Sequence, residues 1–257
     1  MPKVFVHGNP ETSAIWSTLF DALRERGVDD LVELSPPGFG APLPAGFEPT
    51  QSGYRDWLVQ QLEQLGGDID LVGHDWGAGH VYGVLAERPD LLRSWAADCA
   101  GLIHQDYVWH DLAQVWQTPG EGEEAIAGMF GLPVQQGIEL LMSFGLPENV
   151  AGVIAPHQNQ LMGACVLGLY RSAAQPQMAR LGERLKSTEP RPGLVLIPSG
   201  DPYPGTPEMC ADVAADLGAD VYTLEGLGHW WMFEGAAPAA AALVQHWERV
   251  QGREAQR

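Results

Sequence analysis

The stretch Leu71-Val72-Gly73-His74-Asp75-Trp76-Gly77-Ala78-Gly79 carries the most chemistry in the chain. Its Gly-x-Asp-x-Gly spacing lies between an apolar run and an amphipathic one. It reads as a sharp strand-to-helix turn, with glycines on either side allowing one side chain to stand above the end of a sheet. The side chain presented is a carboxylate. Ionised at neutral pH, it can attack a saturated carbon, displace a leaving group and form an alkyl ester, which water activated by a histidine must then cleave. Read alone, Asp75 serves equally well as a helix N-cap. Two other segments favour the chemical reading. His7-Gly8-Asn9-Pro10 follows the first apolar run, where a loop can bring the Asn9 amide beside that of Trp76 to hold an oxyanion. Gly226-Leu227-Gly228-His229 places a histidine in a glycine-flanked loop near the C-terminus, a general-base position in the chain order nucleophile, acid, histidine.

These residues need a scaffold that brings distant loops together. Apolar runs at 3–6, 31–34, 69–73, 92–97, 193–197 and 220–226 predict strands. Amphipathic stretches at 12–26, 54–65, 76–88, 207–217 and 238–250 predict helices between or after them. Strands separated by helices of this length pair in parallel through crossovers, so the fold class is α/β with a doubly wound sheet. From His104 to Lys186 only helical periodicity appears. The chain therefore divides into a sheet-based core, 1–102 with 190–257, and a helical insertion, 103–189.

Composition narrows the partners. With 33 acidic and 14 basic side chains in 257 residues, the formal charge is −19. Nucleic-acid phosphates and anionic membranes, which need clustered Lys and Arg, are excluded as expected partners. Cys99, Cys165 and Cys210 are widely spaced with no CxxC pair, which predicts neither a disulfide framework nor a zinc site. The absence of a long apolar leader or span points to the cytoplasm. His104, Asp106, His110 and Asp111 fit no standard metal spacing and read as a solvated helix face. The turn Ser35-Pro36-Pro37-Gly38-Phe39-Gly40 lacks the Lys-Ser/Thr ending of a phosphate loop. No cofactor and no metal are expected. Trp109, Trp116, Trp230, Trp231 and Phe130 suit either a pocket wall or core packing.

On GHDWG, HGNP and GxGH the chain resembles the α/β-hydrolase superfamily, in particular its aspartate-nucleophile branch of haloalkane dehalogenases and epoxide hydrolases. The resemblance spans nearly the whole chain. It implies the α/β-hydrolase fold, a mostly parallel sheet flanked by helices, with the insertion as a helical cap. It also implies Asp75 as nucleophile and His229 as base. The acid orienting His229 is then Asp201, where most of the superfamily has it, or Asp98, where one group of dehalogenases has it; Asp201 is preferred. Trp76 matches the dehalogenase tryptophan whose indole holds halide, and Asn9 the asparagine that supplies the second donor in one group. Tyr170, followed by Arg171, resembles the tyrosine near the end of the epoxide hydrolase cap, whereas Leu112 falls near the place of that family's other tyrosine. Trp76 stands where the haloacid-cleaving branch has arginine, which argues against a carboxylate substrate. Relatives carry extra strands before the HGNP strand, so the sheet edge is expected to differ. The expectation is cofactor-independent hydrolysis of a carbon–halogen bond in a small, neutral, apolar substrate. Epoxide hydrolysis is the alternative, and non-catalytic binding of a small ligand a second.

Overall fold

The computed structural model describes residues 1–255. Apolar runs at the expected places form six strands, β1 (Lys3–Val6), β2 (Leu31–Leu34), β3 (Ile69–Gly73), β4 (Leu92–Ala97), β5 (Gly193–Pro198) and β6 (Asp220–Leu224). Their order is β2-β1-β3-β4-β5-β6, and every pairing is parallel. The direction of winding reverses between β1 and β3. Loops leaving those two strands open side by side at the same end of the sheet, the place where α/β sheets bind ligands. That is where the HGNP and GHDWG segments lie.

Three helices connect the first four strands: α1 (Ser17–Arg24), α2 (Gln51–Gln64) and α3 (Trp76–Glu87). A 3-10 turn at Ser13–Trp16, capped by the Thr12 hydroxyl, opens α1, and Thr50 caps α2, three residues earlier than the periodicity suggests. The segment between β4 and β5 holds α4 (Asp111–Gln117), α5 (Glu121–Met129), α6 (Val134–Ser143), α7 (Glu148–Ile154), α8 (Gln160–Ser172) and α9 (Gln177–Leu185). The chain then runs through α10 (Pro207–Asp216), α11 (Trp231–Glu234) and α12 (Ala236–Glu254). No helix among the described residues is long and apolar enough to cross a membrane.

Alternation along the strands sends side chains to opposite faces. Phe5, Val72, Ala96 and Leu194 join the core formed with α1 and α12, whereas Val4, Leu71, Ala97 and Val195 join the one formed with α2, α3 and α10. The helices of the insertion extend these cores: α9 packs on α3, α8 on α2, and α7 on the turn before α1. The insertion leaves the sheet at β4 and returns at its neighbour β5, over the strand ends that carry the motifs.

Candidate active site

His74 and Asp75 turn the chain between the end of β3 and the start of α3. Asp75 has φ 52° and ψ −122°, a backbone conformation that costs a non-glycine residue about 1–3 kcal/mol. Hydrogen bonds over-determine it. The Asp75 N–H donates to Asp98 Oδ1 at 3.0 Å, Gly77 N–H to the His74 carbonyl at 2.7 Å, and His74 N–H to the Val6 carbonyl at 3.1 Å. The motif glycines act through contact rather than through unusual dihedrals. A Cβ on Gly73 would lie 2.6 Å from the Gly77 carbonyl oxygen, and one on Gly77 would collide with the Val6 carbonyl, so the first lets α3 turn back tightly on β3 and the second lets it seat close to β1.

The Asp75 carboxylate, 13% exposed, is divided between two partners. Oδ1 accepts the Asn9 N–H at 2.9 Å, and Oδ2 lies 3.8 Å from His229 Nε2. On the far side of that ring, His229 Nδ1 is 2.8 Å from Asp201 Oδ2, while Asp201 Oδ1 accepts the Tyr203 N–H at 2.9 Å. Asp201 is thus the acid that meets His229. Asp98, expected as the alternative acid, bonds His74 and makes no hydrogen bond to His229. Its Oδ2 lies 2.5 Å from His74 Nδ1 and accepts the Trp231 indole N–H at 2.7 Å, and its Oδ1 takes the Asp75 amide. Those donors take both oxygens of the carboxylate.

Behind the Asp75 and His229 pair runs a buried chain of charges that the sequence alone did not mark. His74 lies between Asp98 and Glu11, with Nε2 3.3 Å from Glu11 Oε1. Glu11 also accepts the Trp230 indole N–H at 2.5 Å and the Gly8 N–H at 3.2 Å. Burial works against a charged His74, but Asp98 and Glu11 outweigh it and hold the imidazole well above its ordinary value, which favours its protonated form. Burial likewise pushes Asp98 and Glu11 up, yet the His74 charge prevails and both end lowered. The His74 and His229 rings are 4.6 Å apart. For His229, burial and the His74 charge are outweighed by Asp201, which leaves it raised. For Asp75, burial dominates over His229, with Glu11 also raising it and His74 and the Asn9 amide opposing, and the carboxyl is pushed up to about 6. Glu11, His74 and His229 have ligand atoms within 4.8 Å of one another.

Above Asp75 lies an open, mostly apolar pocket. The sheet side contributes Asn9, Pro10, Asp75, Tyr203, His229 and Trp230, and the insertion contributes His110, Leu112, Trp116, Met129, Phe144 and Tyr170. None of these is Lys or Arg. The Trp76 indole stacks on Trp109 at 5.6 Å and meets the edge of Tyr170 at 5.3 Å. Neither the nitrogen nor the oxygen of the buried Asn9 carboxamide has a partner of hydrogen-bond geometry. Burial and the Asp75 charge hold the Tyr170 hydroxyl well above its ordinary value, with the nearby Trp76 and Asn9 side chains opposing, so it stays a donor. Tyr107 is turned away, its hydroxyl donating to the Tyr203 carbonyl at 2.8 Å.

The remaining aromatic candidates divide. Trp116 and Trp230 line the pocket, whereas Phe130 and Trp231 belong to the cores. The reading of His110 as part of a solvated helix face is corrected: it is half-buried against Tyr203 and Tyr170, while Asp106 and Asp111 are exposed.

The chain matches the model of the alpha/beta hydrolase family over residues 4–242. No protein of curated function matches it significantly. Among solved structures it is similar to the haloalkane dehalogenase DbeA from Bradyrhizobium elkani USDA94, with a TM-score of 0.72 and 21% identity over 96% of this chain and 91% of that one. It is also similar to E-2-(acetamidomethylene)succinate hydrolase, with a TM-score of 0.71 and 16% identity over 96% and 91%. A third likeness is to the enol-lactonase from Burkholderia xenovorans LB400, at 0.68 and 16% over 96% and 91%. The match over residues 4–242, together with a parallel sheet that carries Asp75 on its strand-to-helix turn, makes the chain a member of the α/β-hydrolase family.

Proposed function

We propose that this hydrolase attacks a saturated carbon of a small neutral substrate with Asp75 and passes through a covalent alkyl ester, without a cofactor. The division of the Asp75 carboxylate carries this reading. With Oδ1 held by the Asn9 amide, Oδ2 is the oxygen free to bond carbon. Once the ester has formed, Oδ1 is its carbonyl oxygen and already sits where negative charge develops in the second step. The Asn9 amide and the Trp76 amide at the start of α3 serve it there. His229, oriented by Asp201, takes a proton from water. The resulting hydroxide adds to Asp75 Cγ, and collapse releases an alcohol whose oxygen came from the carboxylate. The strained turn fixes these distances before substrate arrives.

The leaving group in this reading is a halide. The Asn9 carboxamide, buried and without a partner, and the Trp76 indole are N–H donors that hold an anion without surrendering a proton. One observation favours epoxide opening as a second reading: the Tyr170 hydroxyl sits against those same donors and can protonate an alkoxide. A purely ligand-binding member of the fold has no need of a complete nucleophile, base and acid, and here all three converge. The test is repeated turnover in heavy-oxygen water with panels of haloalkanes and epoxides. Label is expected in the peptide bearing Asp75, and its absence in the presence of product would refute the ester. Halide release or diol formation then decides the leaving group.

A further inference from the structure

His110 lines the pocket and takes no part in the steps above. It precedes α4, and its Nδ1 accepts the Ala113 N–H at 3.3 Å. A ring nitrogen that accepts an N–H carries no proton of its own, so in the neutral imidazole the proton sits on Nε2. The ring is enclosed by Tyr203 at 5.1 Å and by Tyr170 and Trp116 at 6.3 Å. The charged groups around it are His229, Asp201 and, on its own helix, Asp111. Burial and the His229 charge outweigh the two carboxylates and bring the imidazole down to about 4, so it is neutral over the whole physiological range. His110 therefore brings to the pocket one N–H of fixed position and no charge. Leu112, which also lines the pocket, brings no donor.

We propose that His110 is a further catalytic residue, whose Nε2–H joins the Tyr170 O–H on the atom that leaves carbon as Asp75 attacks. The proposal rests on Asp75 being the nucleophile. In that step a bond forms from Asp75 Oδ2 to carbon, and the bond from carbon to the leaving atom breaks with its electron pair staying on that atom. A halide departs as the anion, held by the donors with no proton transferred. An epoxide oxygen takes the Tyr170 proton, and the phenolate regains one, through water, from the His229 imidazolium left by ester hydrolysis. His110 keeps its proton throughout, because a neutral imidazole N–H is too weak an acid to give it up.

The test uses the full chain carrying His229→Gln, in which the ester accumulates. The rate of mass gain is measured with a 1-chloroalkane, the matching 1-iodoalkane and a terminal epoxide, with and without His110→Asn. Asparagine supplies a capping oxygen for the Ala113 N–H, so α4 keeps its start while the ring donor is lost. His110→Asn is expected to slow reaction with the chloride, or with the epoxide if that is the substrate, by roughly tenfold to a hundredfold, and with the diffuse iodide by less than about threefold. An equal loss on all probes, or none, overturns the proposal. If the His229→Gln parent gains no mass from any probe, it is the Asp75 reading that fails. The nitrogen shifts of the His110 ring in labelled protein at pH 7 then decide the rest: the Nε2–H tautomer is expected, and a cation or an Nδ1–H tautomer refutes a fixed neutral donor.

Discussion

Gly8→Ala is the sharpest test of how the site is held. A Cβ at position 8 would stand 2.5 Å from Asp75 Cβ and 2.6 Å from its Cγ, with Oδ1 nearer still. Carbon atoms in van der Waals contact need about 3.5 Å or more, so something must retreat by about 1 Å. The Asp75 backbone is not free to do so, since its amide is tied to Asp98. The Gly8 loop has to retreat instead, which carries the Asn9 amide away from Oδ1 and stretches their 2.9 Å bond beyond hydrogen-bond range. Losing one donor of this kind costs about 2.7–4 kcal/mol, or roughly 10²–10³ in rate. Overpacking is expected to cost about 1–3 kcal/mol of stability, which a thermal melt separates from catalysis. The assay is rapid-quench mass spectrometry of the decay of the ester on Asp75. Gly228→Ala is the control, because a Cβ there meets nothing within 4 Å although the residue belongs to an equally conspicuous motif. Its ester hydrolysis should stay within about threefold of the parent. Ester hydrolysis within that range for Gly8→Ala in a folded protein would refute the argument that Oδ1 must sit on the Asn9 amide.

Three further outcomes are expected. Ester formation needs ionised Asp75 and should fall as pH drops through about 6, whereas ester hydrolysis needs neutral His229, raised above 6.5, and should fail first on acidification. Ester should therefore build up at mildly acidic pH, and coincident or reversed limbs in single-turnover profiles would contradict the assignment. Asp98→Asn strips a buried, charged partner from His74 and should lower the unfolding free energy in urea by about 3–5 kcal/mol. Asp201→Asn should instead slow ester hydrolysis by roughly 10⁴ with a smaller effect on unfolding, and the opposite pattern would exchange the two roles. Tyr170→Phe removes a proton donor, so it should slow alkylation of Asp75 by an epoxide roughly 10²–10⁴-fold and by an iodoalkane little. Equal effects on the two would remove the basis for the epoxide reading.

Much of this was legible in the sequence because the fold is built from local signals. The strands at 3–6, 31–34, 69–73 and 92–97 lie at the expected positions, since apolar runs between glycine- and proline-rich turns leave little choice. GHDWG was legible for the same reason, being a turn whose geometry is set within a few residues. The choice between Asp201 and Asp98 was preferred but not fixed, because both follow neighbouring strands. What separates them is His74 and Trp231, which claim Asp98 from across the sheet end. Glu11 reads as one more polar residue in a loop until the fold carries it to His74 and Trp230. His110 gives no sign of its place either, since its orientation depends on where α4 begins and on what the insertion folds over.

The insertion joins two adjacent strands, β4 and β5, as one unbroken stretch of sequence. Every group proposed to attack carbon or to cleave the ester lies outside it, on loops of the sheet, while His110, Leu112 and Tyr170 lie within it. The machinery of bond making is thus written in the core alone, whereas recognition of what departs is shared, Asn9 and Trp76 coming from the core and His110 and Tyr170 from the insertion. A contiguous exchange between Cys99 and Arg191 would alter the insertion's share and leave Asp75, Asp201 and His229 in place, which makes this junction a natural seam for recombination, in evolution or in the laboratory.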